Sequence, residues 1–477
     1  MFLLSSTGCS DPNPSSATDG HSASPEKTPV LEGYFIDSTA GGDENSGTSP
    51  HQPWKSVDKI SAVTFQPGDH IYFKRGSSYS EGFQINGDGT AERPIMVSAY
   101  GTGDAPRFTN TNDSDYNGNC IQLNGDYQVL EQLYFYGTNP SPSENYESVW
   151  KVGAIKANLG ADHAIIRNNE VVDAPIGINS YSDHALITEN TIHDCNRVLN
   201  APNWGPLGIR IGIGNTEISY NTIHNVHSIG GTWGGDGGAI EIDDGRNHHR
   251  NISIHHNKSS RNMGFIEMSY GFDICADPKQ LEIACQDGDC RSCDADDRIF
   301  QNVVIAYNEA SDFRTFTQIW GPLAGSFIEN NTIVRTIEHP DIESNVFCEF
   351  DPDKLAADSP TTYRNNLVVV VSANTREDVD ENRVFLGYPM APFVHSNNLF
   401  FNASGGEVVM SGNATENTDF ARGELFADPL LVDLEGGDYH LTAGSPARGK
   451  GVPTHFAADL DGNPAVDPPD IGAYQFK

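Results

Sequence analysis

The stretch GAIEIDDG concentrates carboxyl groups: Glu241 and Asp243 stand two residues apart and Asp244 follows directly. In an alternating strand Ile240 and Ile242 share the inward face, so Glu241 and Asp243 share the opposite one. Their Cα atoms then lie about 6.6 Å apart. Two carboxyl groups flanking a glycosidic bond hydrolyse it, with inversion at separations of about 6.5–9.5 Å and with retention at about 5 Å. The spacing of Glu241 and Asp243 suits inversion. A third acid, Glu267, ends the similar strand GFIE; paired with Glu241 from an adjacent coil, it suits retention. Crowding these carboxylates favours keeping a proton among them, which a general acid needs. A Ca²⁺ ion held by Asp244, Glu267 and Glu349 is a further use open to them; hydrolysis itself requires no cofactor.

The element that positions these groups is a repeat. The phrases IIRNNEV, LITENTI, EISYNTI, SIHHNKS, VIAYNEA, FIENNTI, TYRNNLV and VHSNNLF are anchored by Asn169, Asn190, Asn221, Asn257, Asn308, Asn331, Asn366 and Asn398. Their spacing, 21 to 51 residues, fits coils of about 20 residues with loop insertions. A short amide tolerates left-handed turns and bonds to its counterpart in the next coil, which predicts an internal asparagine ladder. The fold class is therefore all-β, a single-stranded right-handed parallel β-helix.

Counting ten or about twenty residues past successive asparagines gives a second register: Lys156, Asn179, Arg210, Glu241, Glu267, Gln318 and Glu349, predicted to face solvent as one ladder. A neighbouring column carries Asp243, Ser269 and Trp320. Extra length enters this strand at residues 196–206 and 227–237, with Trp204 and Trp233, and leaves it at 271–298 and 351–361. These insertions would wall the ladder into a groove, where aromatic rings stack on sugars. Arg210, Gln318, Trp320, Tyr270, Trp233, Trp204, His249 and Lys156 are the candidate substrate-binding residues. An exposed turn is the expected place of His248 and His249.

At the ends, YFIDSTAGGDENSGTSPHQPWKSVDKI with FQPGDHIYFKRGSSY, and LTAGSPARGKG with DLDGNPAVDPPDIGAYQF, resemble the opening and closing caps of secreted bacterial pectate-lyase-like β-helix proteins. The resemblance covers nearly all of residues 33–477 and implies the fold and an association with extracellular polysaccharide. GAIEIDDG resembles the Glu-X-Asp strand of iota-carrageenase-type hydrolases. That likeness implies Glu241 as general acid and Asp243 as general base, with Gln318 or Glu267 holding a water or an ion. A second resemblance, to the alginate lyase and chondroitinase B type, implies a calcium site at Glu241 and Glu267 beside a basic Arg210 or Lys156. The Lys-Ser and Arg-His-Gly strands of that type are absent here, which puts β-elimination behind hydrolysis.

Composition sets the outer bounds. Asp and Glu outnumber Lys and Arg by 65 to 29, a net charge of −36, which excludes a nucleic-acid partner. The expected partner is a polysaccharide, open to anionic or sulfated types, met by a monomer. MFLLSSTGCS reads as the end of a lipoprotein signal (1–9), with Cys9 the site of lipidation, and 10–32 as a disordered tether. That reading implies a secreted or outer-surface bacterial lipoprotein, touching a membrane only through its lipid. The helix domain spans 33–477, with caps at 33–110 and 420–477 and a Cys/Asp-rich insertion at 271–298. There Cys275, Cys285, Cys290 and Cys293 read as two disulfides, with zinc as the alternative for Cys290 and Cys293. Cys120, Cys195 and Cys348 read as core or structural thiols.

Overall fold

Strands of two to seven residues recur in threes because each coil alternates apolar and polar side chains and then turns. The structure, a computed structural model, describes residues 31–112, 114, 116–139, 151–197, 205–229, 235–243, 249–269, 300–320, 323–335, 346–350, 361–371, 384–385, 387–388, 393–403, 405, 408–409 and 423–477. The chain divides into Met1–Glu32 and Gly33–Lys477, and the second unit carries the fold. Its described strands form three long sheets, of 13 strands (sheet I), 10 strands (sheet II) and 12 strands (sheet III). One coil shows the path: Ile155–Ala157 in sheet II, Ile165–Arg167 in sheet I, Glu170–Val172 in sheet III, then Ile176–Ser180 back in sheet II. Each strand pairs in parallel with its equivalents in the coils before and after. Such pairing turns a short sequence period into a solenoid. The fold is a right-handed parallel β-helix.

The core is a set of stacked apolar columns. Ile166, Ile187, Ile218, Ile254, Ile305 and Ile328 line sheet I, and Ile178, Ile209, Ile240 and Ile266 line sheet II, all at most 2% exposed. Each buried isoleucine contributes about 1.5–3 kcal/mol. Toward the N-terminus the columns become aromatic: Phe73, Tyr79, Phe83 and Phe108 pack with ring centroids 4.9–5.5 Å apart. At the other end the antiparallel pair Leu431–Asp433 and Asp438–Leu441 opens the closing cap. Tyr439, Leu460, Ile471 and Tyr474 cover the outer residues Val334, Leu367, Val369 and Leu399 of sheet III.

The asparagine ladder runs unbroken through the turn between sheets I and III. Asn169 Nδ2 donates to Asn190 Oδ1 at 3.1 Å, and the same bond repeats through Asn221, Asn257, Asn308, Asn331, Asn366 and Asn398 at 2.9–3.0 Å. Each second amide hydrogen goes to a carbonyl of the preceding coil, as from Asn257 to Ile218. Glu424 ends the stack by accepting from Asn398 Nδ2, and also bonds His395 Nδ1 at 2.8 Å. The left-handed conformation sits one residue earlier than the sequence argument placed it. Asn168, Glu189, Tyr220, His256, Tyr307, Asn330, Asn365 and Asn397 have φ between 50° and 56°, and the ladder asparagines themselves do not. The preceding residue takes the sharp turn, which leaves the amide free to point along the helix axis.

A shorter polar column lies at the next turn. Asn262 Oδ1 accepts from Val226 N–H, and Asp312 Oδ1 accepts from Asn262 N–H, both at 2.8–2.9 Å. Burial pushes the Asp312 carboxyl up to about 7, while bonds from Ser259 and Asn262 pull the other way. Cys120 and Cys195 are buried free thiols, both pushed up by burial. The expected segments 1–9 and 10–32, with Cys9, fall at residues 1–30 outside the described residues but for Leu31 and Glu32, and so do Cys275, Cys285, Cys290 and Cys293. Among the described residues no helix is long and apolar enough to cross a membrane.

Candidate active site

Sheet II brings the second register together. Lys156 is paired with Asn179, Asn179 with Arg210, Arg210 with Glu241, Glu241 with Glu267, and Glu267 with Gln318. Neighbouring strands lie about 4.8 Å apart, so Glu241 and Glu267 are lateral neighbours. Both are partly exposed. They line one cleft together with Gln318, Thr315 and Arg314. Asp243 is paired with Ser269 and Ser269 with Trp320, which gives the second column.

Three sequence expectations need correction. Glu349 is not on the ladder: Cys348 is the register partner of Gln318, and Glu349 is paired with the inward-facing Ile319. The apolar anchor decides this register, because buried Val346 accepts from Phe316 N–H at 2.8 Å. Counting to the nearest acid shifted the strand by one position, and one position reverses the face. Cys348 accordingly stands at a ladder position of the register. Of the residues expected to hold calcium, Glu349 is thus off the register of Glu267, and Asp244 lies outside the described residues. Among those residues no group of three or more His, Cys, Asp and Glu side chains is placed to hold a metal ion.

The second correction concerns exposure. From Lys156 to Gln318 only Glu241 and Glu267 are partly exposed: Lys156 is 2% exposed, Asn179 and Arg210 are 0% and Gln318 is 7%. Arg210 and Lys156 are therefore covered residues and not open contacts for a substrate. Their charges are met locally: Arg210 Nη1 donates to Tyr181 Oη at 2.8 Å, and Lys156 Nζ lies 4.1 Å from the centre of the Tyr181 ring. Third, His249 is not an exposed turn residue; it is 2% exposed, packed against Phe300 just before the sheet I strand Arg250–His255.

Tyr270, Trp204, Trp233, Asp244 and His248 lie outside the described residues, and Trp320, Asp243 and Glu349 are placed by backbone register alone. Sequence reasoning missed four contributors. Gln84 and Gln122 extend the ladder below Lys156, and the triplets FQI and IQL carried that signal. Tyr181 was hidden because it stands just beyond the strand. Arg314 belongs to the connection into the strand Thr317–Trp320, where no periodicity marks it. Its backbone is pinned between buried Phe313 and Thr315, its side chain is partly exposed in the cleft, and it makes no hydrogen bond or ion pair among the described residues.

A partly exposed carboxylate pair, with an amide and a guanidinium beside it, lines one cleft of a parallel β-helix protein. No family model matches the chain. Among solved structures the chain is similar to XylC in complex with xylose, with a TM-score of 0.56 and 11% identity over 93% of this chain and 98% of that one. It is similar also to pectate lyase Pel9A, with a TM-score of 0.50 and 12% identity over 94% and 98%. Among curated proteins, 75 residues are 37% identical to a lacto-N-biosidase of Bifidobacterium longum subsp. longum; they make up 15% of this chain and 5% of that protein.

Proposed function

We propose that this protein is an extracellular polysaccharide-degrading enzyme that hydrolyses glycosidic bonds with carboxyl groups of sheet II. The observation that carries the reading is the lateral pairing of Glu241 with Glu267 in one cleft. Adjacent strands hold the two carboxyls at the close spacing that suits retention, one as nucleophile and the other as proton donor. Asp243, one step along the strand from Ile242, gives the wider spacing that suits inversion with Glu241. Gln318 offers an amide for sugar hydroxyls, and Arg314 offers a planar fork for a carboxylate or sulfate on the substrate. The named activities of the proteins this chain resembles, a lacto-N-biosidase and a pectate lyase, both concern sugars and support a glycan substrate.

The second reading, β-elimination on a uronate, is favoured by one observation: Arg314 stands in the cleft, where a guanidinium can neutralise the uronate carboxylate. A panel of neutral, uronate and sulfated polysaccharides separates the two. Hydrolysis releases reducing ends without new ultraviolet absorbance, whereas elimination adds the absorbance of an unsaturated uronate. Glu241→Gln is expected to abolish cleavage with the fold intact; unchanged cleavage would remove the site. Release of neither signal from an adequate panel would favour a carbohydrate-binding surface protein without catalysis.

A further inference from the structure

We propose that Tyr181 is a positioning residue of the Glu241–Glu267 centre, acting through Arg210, and that Gly212 is the notch that seats it; this rests on the reading of Glu241 as a reacting carboxylate.

The chain of contacts begins two coils before Glu241. Asn179 Nδ2 donates to Val152 O at 2.7 Å, which turns Asn179 Oδ1 toward the next coil. Arg210 Nη1 donates to that oxygen at 3.3 Å and to Tyr181 Oη at 2.8 Å. The guanidinium is thus held from two sides, and Arg210 is the register partner of Glu241. Tyr181 follows Ser180, and Gly212 follows Ile211, the partner of Ser180. A Cβ on Gly212 would stand 2.4 Å from Tyr181 Cε1, so the ring occupies the space a side chain would fill. Lys156 Nζ, 4.1 Å from the ring centre, closes the other side. With Tyr181 6% exposed, this brace is dry. In such surroundings a fixed cation one strand from a carboxylate acts on it far more strongly than across water.

The test compares Tyr181→Phe, Gly212→Ala and Tyr181→Ala, alone and combined, on whichever of xylan, polygalacturonate, alginate and carrageenan the unaltered protein cleaves. Tyr181→Phe keeps the ring in its notch and removes the acceptor, so kcat is expected to fall about tenfold with KM within about twofold. Gly212→Ala is expected to do the same by displacing the ring, and to add nothing in the Tyr181→Ala background. A crystal structure of Tyr181→Phe is expected to show the Arg210 guanidinium moved from Asn179. Unchanged kcat, a loss confined to KM, an additive effect of Gly212→Ala, or an unmoved guanidinium would each overturn the proposal. If Glu241→Gln still cleaves, the carboxylate reading fails by itself, and the crystal structure decides the brace independently of any activity.

Discussion

Between sheets I and III, eight asparagines stack one per coil, whereas on sheet II the equivalent column reads Gln84, Gln122, Lys156, Asn179, Arg210, Glu241, Glu267 and Gln318. Both columns repeat with the same period and both are built on parallel strands. An amide carries donor and acceptor together, so identical rungs satisfy one another and the column closes on itself down to Glu424. A carboxylate only accepts and a guanidinium only donates, so a column of charges needs unlike neighbours, a hydroxyl such as that of Tyr181, or water. The inner column can therefore be uniform and dry, and the outer one must vary along its length. Its variation leaves Glu241 and Glu267 partly exposed between the buried rungs Arg210 and Gln318.

Exchanging rungs between the columns breaks this contrast most sharply. Glu241→Gln gives the outer column an amide: the fold should hold, and kcat should fall about 10²–10⁴-fold, the usual worth of a proton-transfer group. Polysaccharide cleavage with a parallel melting curve checks both halves. The reverse exchange, Asn257→Asp, puts a carboxylate where Nδ2 donates to Ile218 O and Asn308 Oδ1. Three acceptors then face one another in the interior, and urea denaturation at neutral pH should show a loss of about 3–5 kcal/mol, the cost of an uncompensated buried charge.

Asp312 already stands in such an inner position, and its pH dependence sharpens the same point. Burial raises its carboxyl from 3.8 to about 7, so the folded protein holds this proton more tightly than the unfolded chain. Its contribution to stability is full below about 4, declines as pH rises through the window to about 7, and is flat above. Asp312→Asn should match the parent near pH 4 and exceed it by roughly 1–3 kcal/mol near pH 8; an equal gap at both pH values in urea titrations would contradict this. The smallest effect is expected at the cleft edge. Arg314→Ala should raise KM about tenfold on an acidic glycan with little change in kcat, as loss of uniform binding does, and should leave KM on a neutral glycan unaltered.

The inner column was legible from eight recurring phrases, since a period and a residue type suffice when every rung obeys one rule. The outer column was legible from Lys156 to Gln318 because apolar neighbours such as Ile240 and Ile266 fix the face. It failed at Glu349, where the acid was used as the marker and buried Val346 was the true anchor. Solvent exposure was misjudged for Arg210 and Lys156 because alternation tells only that a side chain leaves the core, and not what covers it. Arg314 and Tyr181 lie outside the paired strands, and no spacing rule reaches them.

The sequence by itself determined the coil, its stacked interior and the shared face of Glu241 and Glu267, because these follow from a short-range alternation repeated at fixed phase. Only the tertiary structure decided which rungs are dry, that Tyr181 fills the space over Gly212 to hold Arg210, and that Arg314 enters the same cleft. Those outcomes depend on contacts between coils and on the path of connections, and the free energy of a charge is set by its surroundings in space, which no single strand specifies.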